Sequence, residues 1–80
     1  MTTEQQLEHP VKLGVTPVQK KVLDFLRDYI ELHEYSPSMR EIASGCKMTL
    51  SNAVRVTAAL EKRQRITRLY GIARSISVLD

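Results

Sequence analysis

The stretch SPSMREIASGCKMTLSNAVR, residues 36–55, holds the side chains best suited to recognition chemistry. Small hydroxyl and amide groups at Thr49, Ser51 and Asn52 are followed by a long cation, Arg55. Hydroxyls donate or accept, an Asn amide pairs with adenine through two hydrogen bonds, and an Arg fork reaches N7 and O6 of guanine. Small side chains in front allow close approach to a base edge, and an Arg about one helical turn later spans the remaining gap. Taken singly, Thr49 reads as a helix cap and Ser51 as solvated surface. Asn52 and Arg55 together are more specific. The expected base-contacting set is Thr49, Ser51, Asn52 and Arg55.

No competing constellation appears. His9 and His33 have no partners at zinc-ligand spacing, Cys46 has no His near it in sequence, and no glycine-rich phosphate loop is present. No catalytic residue, metal or cofactor is expected. Cys46 reads as a small buried side chain.

These side chains need elements to aim them. TPVQKKVLDFLRDYIELHEY predicts a long first helix, with Thr16 as N-cap, Pro17 at the first helical position and Gln19 three after the cap. Val18, Val22, Phe25, Leu26, Tyr29 and Ile30 follow helical spacing and predict its buried stripe. Pro37 pushes Ser36 to extended geometry and breaks the helix. Ser38 caps a short second helix over about Met39 to Ser44, with Glu41 completing the capping box and Gly45 expected to take the left-handed turn that ends it. Thr49 is the preferred cap of a third helix, with Ser51 the alternative. Ala53, Val56, Thr57 and Leu60 face inward, and Leu50, Ser51, Asn52, Val54, Arg55 and Ala58 lie outward or at the flanks. RITRLY and RSISVL are β-rich, and Gly71 predicts a tight or bulged hairpin between them. Ile66 and Arg68 share a parity, so a twist or bulge must turn one of them.

Eighty residues make one domain, and a chain this short buries only about 60% of its unfolded surface. An apolar share of 42% suits a globular chain. One cysteine forms no intramolecular disulfide, no run is apolar enough to span a membrane, and the amino terminus lacks signal-peptide order, so a cytoplasmic location is expected. Net charge is +3, unevenly placed. Residues 1–38 carry four cations and six anions, a net −2, whereas residues 39–80 carry eight cations and three anions, a net +5. A basic half suggests a face for a polyanion.

The predicted architecture is mainly α (α+β): a three-helix winged helix-turn-helix with a C-terminal β-hairpin wing over residues 16–80, after a loose tail at 1–15. In such a domain the third helix fits the major groove of B-DNA. The wing would bring Arg68, Tyr70 and Arg74 near the backbone or a minor groove.

TPVQKKVLDFLRDYI, YSPSMREIA, LEKRQRI and RSISVL together resemble the winged helix-turn-helix domain of LexA, the SOS-response repressor family of bacteria. The resemblance runs from about Thr16 to Leu79, and YSPS followed by REIA is its most specific part. It implies a repressor that reads palindromic operators as a homodimer. It puts recognition on Thr49, Ser51, Asn52 and Arg55, and phosphate contacts on Ser38 and Arg40; Lys47, in the turn, joins the backbone set. Several features depart from the family pattern: the turn reads GCKM, with Lys47 where glycine is expected and Gly45 earlier, Gln64 replaces the glycine usual before the wing, and the wing tip is short. The chain ends at Asp80, so the family's C-terminal peptidase domain is expected to be missing. That makes the chain either an excised domain or a small stand-alone regulator, bacterial or phage, and the altered turn favours the second. The rival reading is a winged helix that grips a protein partner, such as a phage-type inhibitor of a host nucleic-acid-binding enzyme, because the fold alone does not decide function.

Overall fold

The structure, a computed structural model, describes residues 14–79. The tail expected over residues 1–15 falls almost wholly outside the described residues, and so does Asp80. Val15 packs against the core, and the Gly14 carbonyl accepts an N–H of Arg63 at 3.5 Å.

Three helices are followed by a two-stranded antiparallel sheet: α1 (Pro17–His33), α2 (Met39–Cys46), α3 (Leu50–Lys62), β1 (Ile66–Thr67) and β2 (Ser77–Val78). This is the mainly α winged helix-turn-helix architecture read from the sequence. Each helix begins where a side chain can satisfy its orphan N–H groups. At α1 the Gln19 N–H donates to Thr16 Oγ1 (3.1 Å) and the Thr16 N–H donates to Gln19 Oε1 (3.2 Å). At α2 the Glu41 N–H donates to Ser38 Oγ (3.2 Å) and the Ser38 N–H to Glu41 Oε1 (2.8 Å). At α3 the Asn52 N–H donates to Thr49 Oγ1 at 3.1 Å, which settles Thr49 as the cap.

The second helix ends differently from expectation. α2 continues through Gly45 to Cys46, and Lys47 takes the left-handed conformation (φ 59°). Its N–H reaches the Ser44 carbonyl (3.3 Å) and the Met48 N–H reaches the Ala43 carbonyl (2.9 Å), the paired bonds of a Schellman cap. Gly45 serves another purpose: a Cβ there would collide with the Phe25 ring, so the glycine lets α1 and α2 approach. α3 closes with the same motif. Gln64 is left-handed (φ 61°), and Arg65 donates to the Leu60 carbonyl at 2.9 Å. The two positions that depart from the family's glycines are therefore both left-handed helix ends.

Val22, Leu23, Leu26, Ile42, Ala43, Cys46, Ala53, Leu60, Ile66 and Ile76 form one core, bordered by Phe25, Met39, Met48, Val56 and Val78. The inward face of α3 is as expected, with Ala53, Thr57 and Leu60 buried and Val56 half-buried. That of α1 is rotated. Gln19, Val22, Leu23 and Leu26 are buried, Phe25, Tyr29 and Ile30 are half-buried, and Val18 is 47% exposed. Gln19 and Leu23 thus turn inward, and Val18, on the side away from them, meets solvent. Burial pushes the Cys46 thiol pKa up, against the opposing pull of Lys21.

The hairpin is wide, not tight. Ile66 pairs with Val78 and Thr67 with Ser77, and residues 68–76 form a loop between them. The ladder stops at Thr67, so Ile66 can point into the core while Arg68 leaves the strand geometry; this removes the parity conflict. Ser75 organises the loop, accepting the Leu69 N–H at 2.9 Å, and Gly71 provides a left-handed turn (φ 78°). β2 is anchored to the segment before α2: the Ile76 N–H donates to the buried Ser36 Oγ at 3.1 Å.

Candidate nucleic-acid interface

α2, the turn at Lys47–Thr49 and α3 form the helix-turn-helix, with α1 packed across both helices. Because α3 buries only Ala53, Thr57 and Leu60, its opposite side is bare. Ser51, Asn52 and Arg55 are all exposed there. Arg55 Nη1 donates to Asn52 Oδ1 at 3.2 Å. That bond holds the guanidinium beside the amide and leaves the Asn52 NH2 and most Arg55 N–H donors outward. Thr49 is exposed as well; its oxygen caps the helix while its own hydroxyl proton remains available. Ser38 has the same division at α2 and is half-buried.

Arg40 and Lys47 are exposed near the helix-turn-helix, and no acidic side chain lies in the first turn of α3. The structure places Thr49, Ser51, Asn52 and Arg55 at the start of α3, Ser38 and Arg40 at the start of α2 and Lys47 at its end.

The wing cations are held differently. Arg74 Nη1 and Nη2 donate to Glu41 Oε1 and Oε2 at 2.7 and 3.0 Å, a fork-to-fork pair. The same guanidinium reaches Tyr29 Oη and the Ser36 carbonyl, both at 3.4 Å, and lies 5.2 Å from the Tyr35 ring centre. The residue itself is left-handed, φ 56°. Hydrogen bonds from Arg74, then from the Ser38 backbone, pull the Glu41 pKa from 4.5 down to about 2. Arg74 is raised in turn, chiefly by Glu41. The Tyr29 phenol is also raised, first by desolvation and then by Glu41, with Arg74 opposing.

Arg68 pairs with Glu61 at 3.4 Å and stacks 4.6 Å from the Tyr70 ring centre, while the Tyr70 hydroxyl donates to Glu61 Oε1 at 2.9 Å. Glu41 and Glu61 are thus the partners that sequence reading missed. Glu41 showed only its local role as a cap, and nothing in spacing marks a bond to a residue 33 positions away.

Among the described residues no group of three or more His, Cys, Asp or Glu could hold a metal, and no helix is long and apolar enough to cross a membrane.

Comparison with known proteins agrees with this geometry. The sequence profile of the LexA DNA binding domain matches residues 12–75. The LexA repressor of Thermosipho melanesiensis is 46% identical over 65 residues, covering 81% of this chain and 33% of that protein. The LexA repressor of Pseudothermotoga lettingae is 44% identical over 70 residues, covering 88% and 34%. LexA repressor 1 of Nocardia farcinica is 31% identical over 77 residues, covering 95% and 36%. The chain spans about a third of the length of these relatives. The profile match takes in all three helices, the turn between α2 and α3 and most of the wing, and on that extent the chain belongs to the LexA DNA-binding domain family.

Proposed function

We propose that the chain binds double-stranded DNA sequence-specifically and acts as a transcriptional repressor, with α3 in the major groove and the wing on the backbone. The observation that carries this is the outward half of α3: Ser51, Asn52 and Arg55 are exposed, and Asn52 is bonded to Arg55 and to the helix cap. A side chain used for packing would be buried, and one used for solubility would not need this hydrogen-bonding repertoire. Thr49, Ser51, Asn52 and Arg55 contact base edges. Ser38, Arg40, Lys47, Arg68, Tyr70 and Arg74 contact the sugar-phosphate backbone. An arginine has five N–H donors, so Arg74 can meet a phosphate while holding Glu41.

The location is cytoplasmic, and two copies occupy a palindromic site, since one winged helix covers a short half-site. Selection from a random duplex pool tests the proposal: one enriched motif is expected, and its absence at low salt would rule out sequence-specific binding. A protein partner is the second reading, favoured by the exposed Leu69, Tyr70 and Ile72 at the wing tip (62, 71 and 59% exposed). Under that reading Arg55→Ala leaves every duplex affinity unchanged.

A further inference from the structure

We propose that an aliphatic row on α3 reads the C5-methyl groups of thymine, so that this domain selects sites by apolar contact as well as by hydrogen bonds. The inference rests on the base-reading proposal above and assigns a role to residues outside its contact set. Leu50 and Val54 are 40% and 42% exposed, and Ala58 is exposed too. They sit at i, i+4 and i+8, so they form a continuous line along one side of the helix. Ser51 and Arg55 form the neighbouring line, displaced by one residue. Asn52 lies beyond Arg55 on the far side, and its bond to Arg55 draws the guanidinium away from Val54. The outward surface of α3 thus has a polar row and an apolar row side by side.

In the major groove the apolar group on a base edge is the thymine methyl. The other patterns presented there are hydrogen-bond donors and acceptors, which the polar row serves. Val54 suits a methyl contact because its β-branched side chain is nearly fixed in a helix and loses little freedom on binding. Charge selects duplex DNA as the occupant over an apolar protein groove. Arg55 adjoins the row, Lys47 lies just before the helix, Arg40 is on α2, and the first turn of α3 holds no acidic side chain.

The test replaces each thymine of the selected site, one at a time, with deoxyuridine, which removes the methyl and leaves the Watson–Crick edge intact. Affinities are measured by fluorescence anisotropy with the 80-residue chain and with Val54→Ala and Leu50→Ala. Both variants keep a helix-forming residue at an exposed position, and circular dichroism verifies their fold. Burying one methyl corresponds to about 4-fold in affinity, so wild type is expected to lose about that much at one or two thymines. In Val54→Ala or Leu50→Ala the thymine preference at the matching position should disappear, with the other positions unchanged. An enriched motif in which no thymine is preferred over deoxyuridine overturns this inference alone. So does a preference that survives in both variants. A pool that yields no motif overturns base reading itself, and this inference with it.

Discussion

On α3, Ser51, Asn52 and Arg55 stand in solvent with little to hold them but one another; in the wing, Arg68, Tyr70 and Arg74 are each gripped by a carboxylate of another element. Both regions are basic and polar, and composition alone treats them alike. Their physics differs. A cation in solvent meets a phosphate at little cost beyond its own ordering. A cation already paired must share or exchange its partner. The same interactions explain why the wing has a fixed place: two strands of two residues each are too short to fix a hairpin, and the Glu41–Arg74 fork, the Glu61 contacts and the Ser36–Ile76 bond tie it to the helices. The wing is held by long-range polar pairs, while the exposed surface of α3 is a by-product of a well-packed opposite face.

Arg55→Ala is the strongest way to break the comparison. It should weaken the selected site by ~1–3 kcal/mol and relax specificity at one base pair, with the thermal midpoint unmoved because the side chain is exposed. A comparable fall in stability would mean that this surface is structural after all. Arg74→Ala should behave in the opposite way. It lowers stability, weakens all duplexes alike and reduces the salt slope by about 1.

The ionic half of the wing clamp has its own signature. Glu41 has a folded pKa below its ordinary 4.5, at about 2. Its contribution to stability is therefore complete above pH 4.5 and is lost as pH falls from there toward 2. Glu41→Gln keeps a residue that completes a capping box but removes the charge. Urea unfolding of this variant should lose part of the acid-induced decline seen in wild type across that window. An unchanged pH profile would show that the fork contributes nothing measurable to holding the wing.

The parts legible from sequence were the local ones. Thr16, Ser38 and Thr49 were found because a cap and its N–H donor lie three residues apart and the chemistry is nearly obligatory. The exposure of Ser51, Asn52 and Arg55 followed from the 3.6-residue period once Ala53, Thr57 and Leu60 were turned inward. The wing clamp was not legible, since Glu41 and Arg74 are far apart in the chain and meet only in the folded molecule, where the Ser36 hydroxyl also holds the Ile76 N–H. Gly45 was misread for another reason. Glycine permits both a left-handed turn and a close approach, and its letter does not say which; the Phe25 ring decides it. Leu23 and Val18 exchanged places because periodicity defines a stripe but not the angle at which neighbouring helices meet it.

Two smaller changes sharpen the comparison at the ends of the helices. Thr49→Ala removes the α3 cap and should cost about 1 kcal/mol of stability. It also loses affinity for the selected duplex, because Thr49 is proposed to serve both the helix and the DNA. If stability falls and the affinity of the folded fraction does not, the hydroxyl is a cap alone.

Lys47→Gly should separate the two roles instead. A side chain at φ 59° carries a steric cost of ~1–2 kcal/mol, which glycine avoids. Glycine's freer unfolded chain returns about 0.4–1 kcal/mol of that. The difference leaves the variant more stable by roughly 0.5 kcal/mol, which at this size raises the melting temperature by about 2–4 °C. If Lys47 also meets a phosphate, the same substitution weakens every duplex alike and lowers the salt slope by about 1. Stability and affinity then move in opposite directions, as expected for a cation kept at a strained helix end for the polyanion it faces. A variant that gains stability and binds DNA unchanged would remove Lys47 from the interface and leave its left-handed backbone without a functional reason.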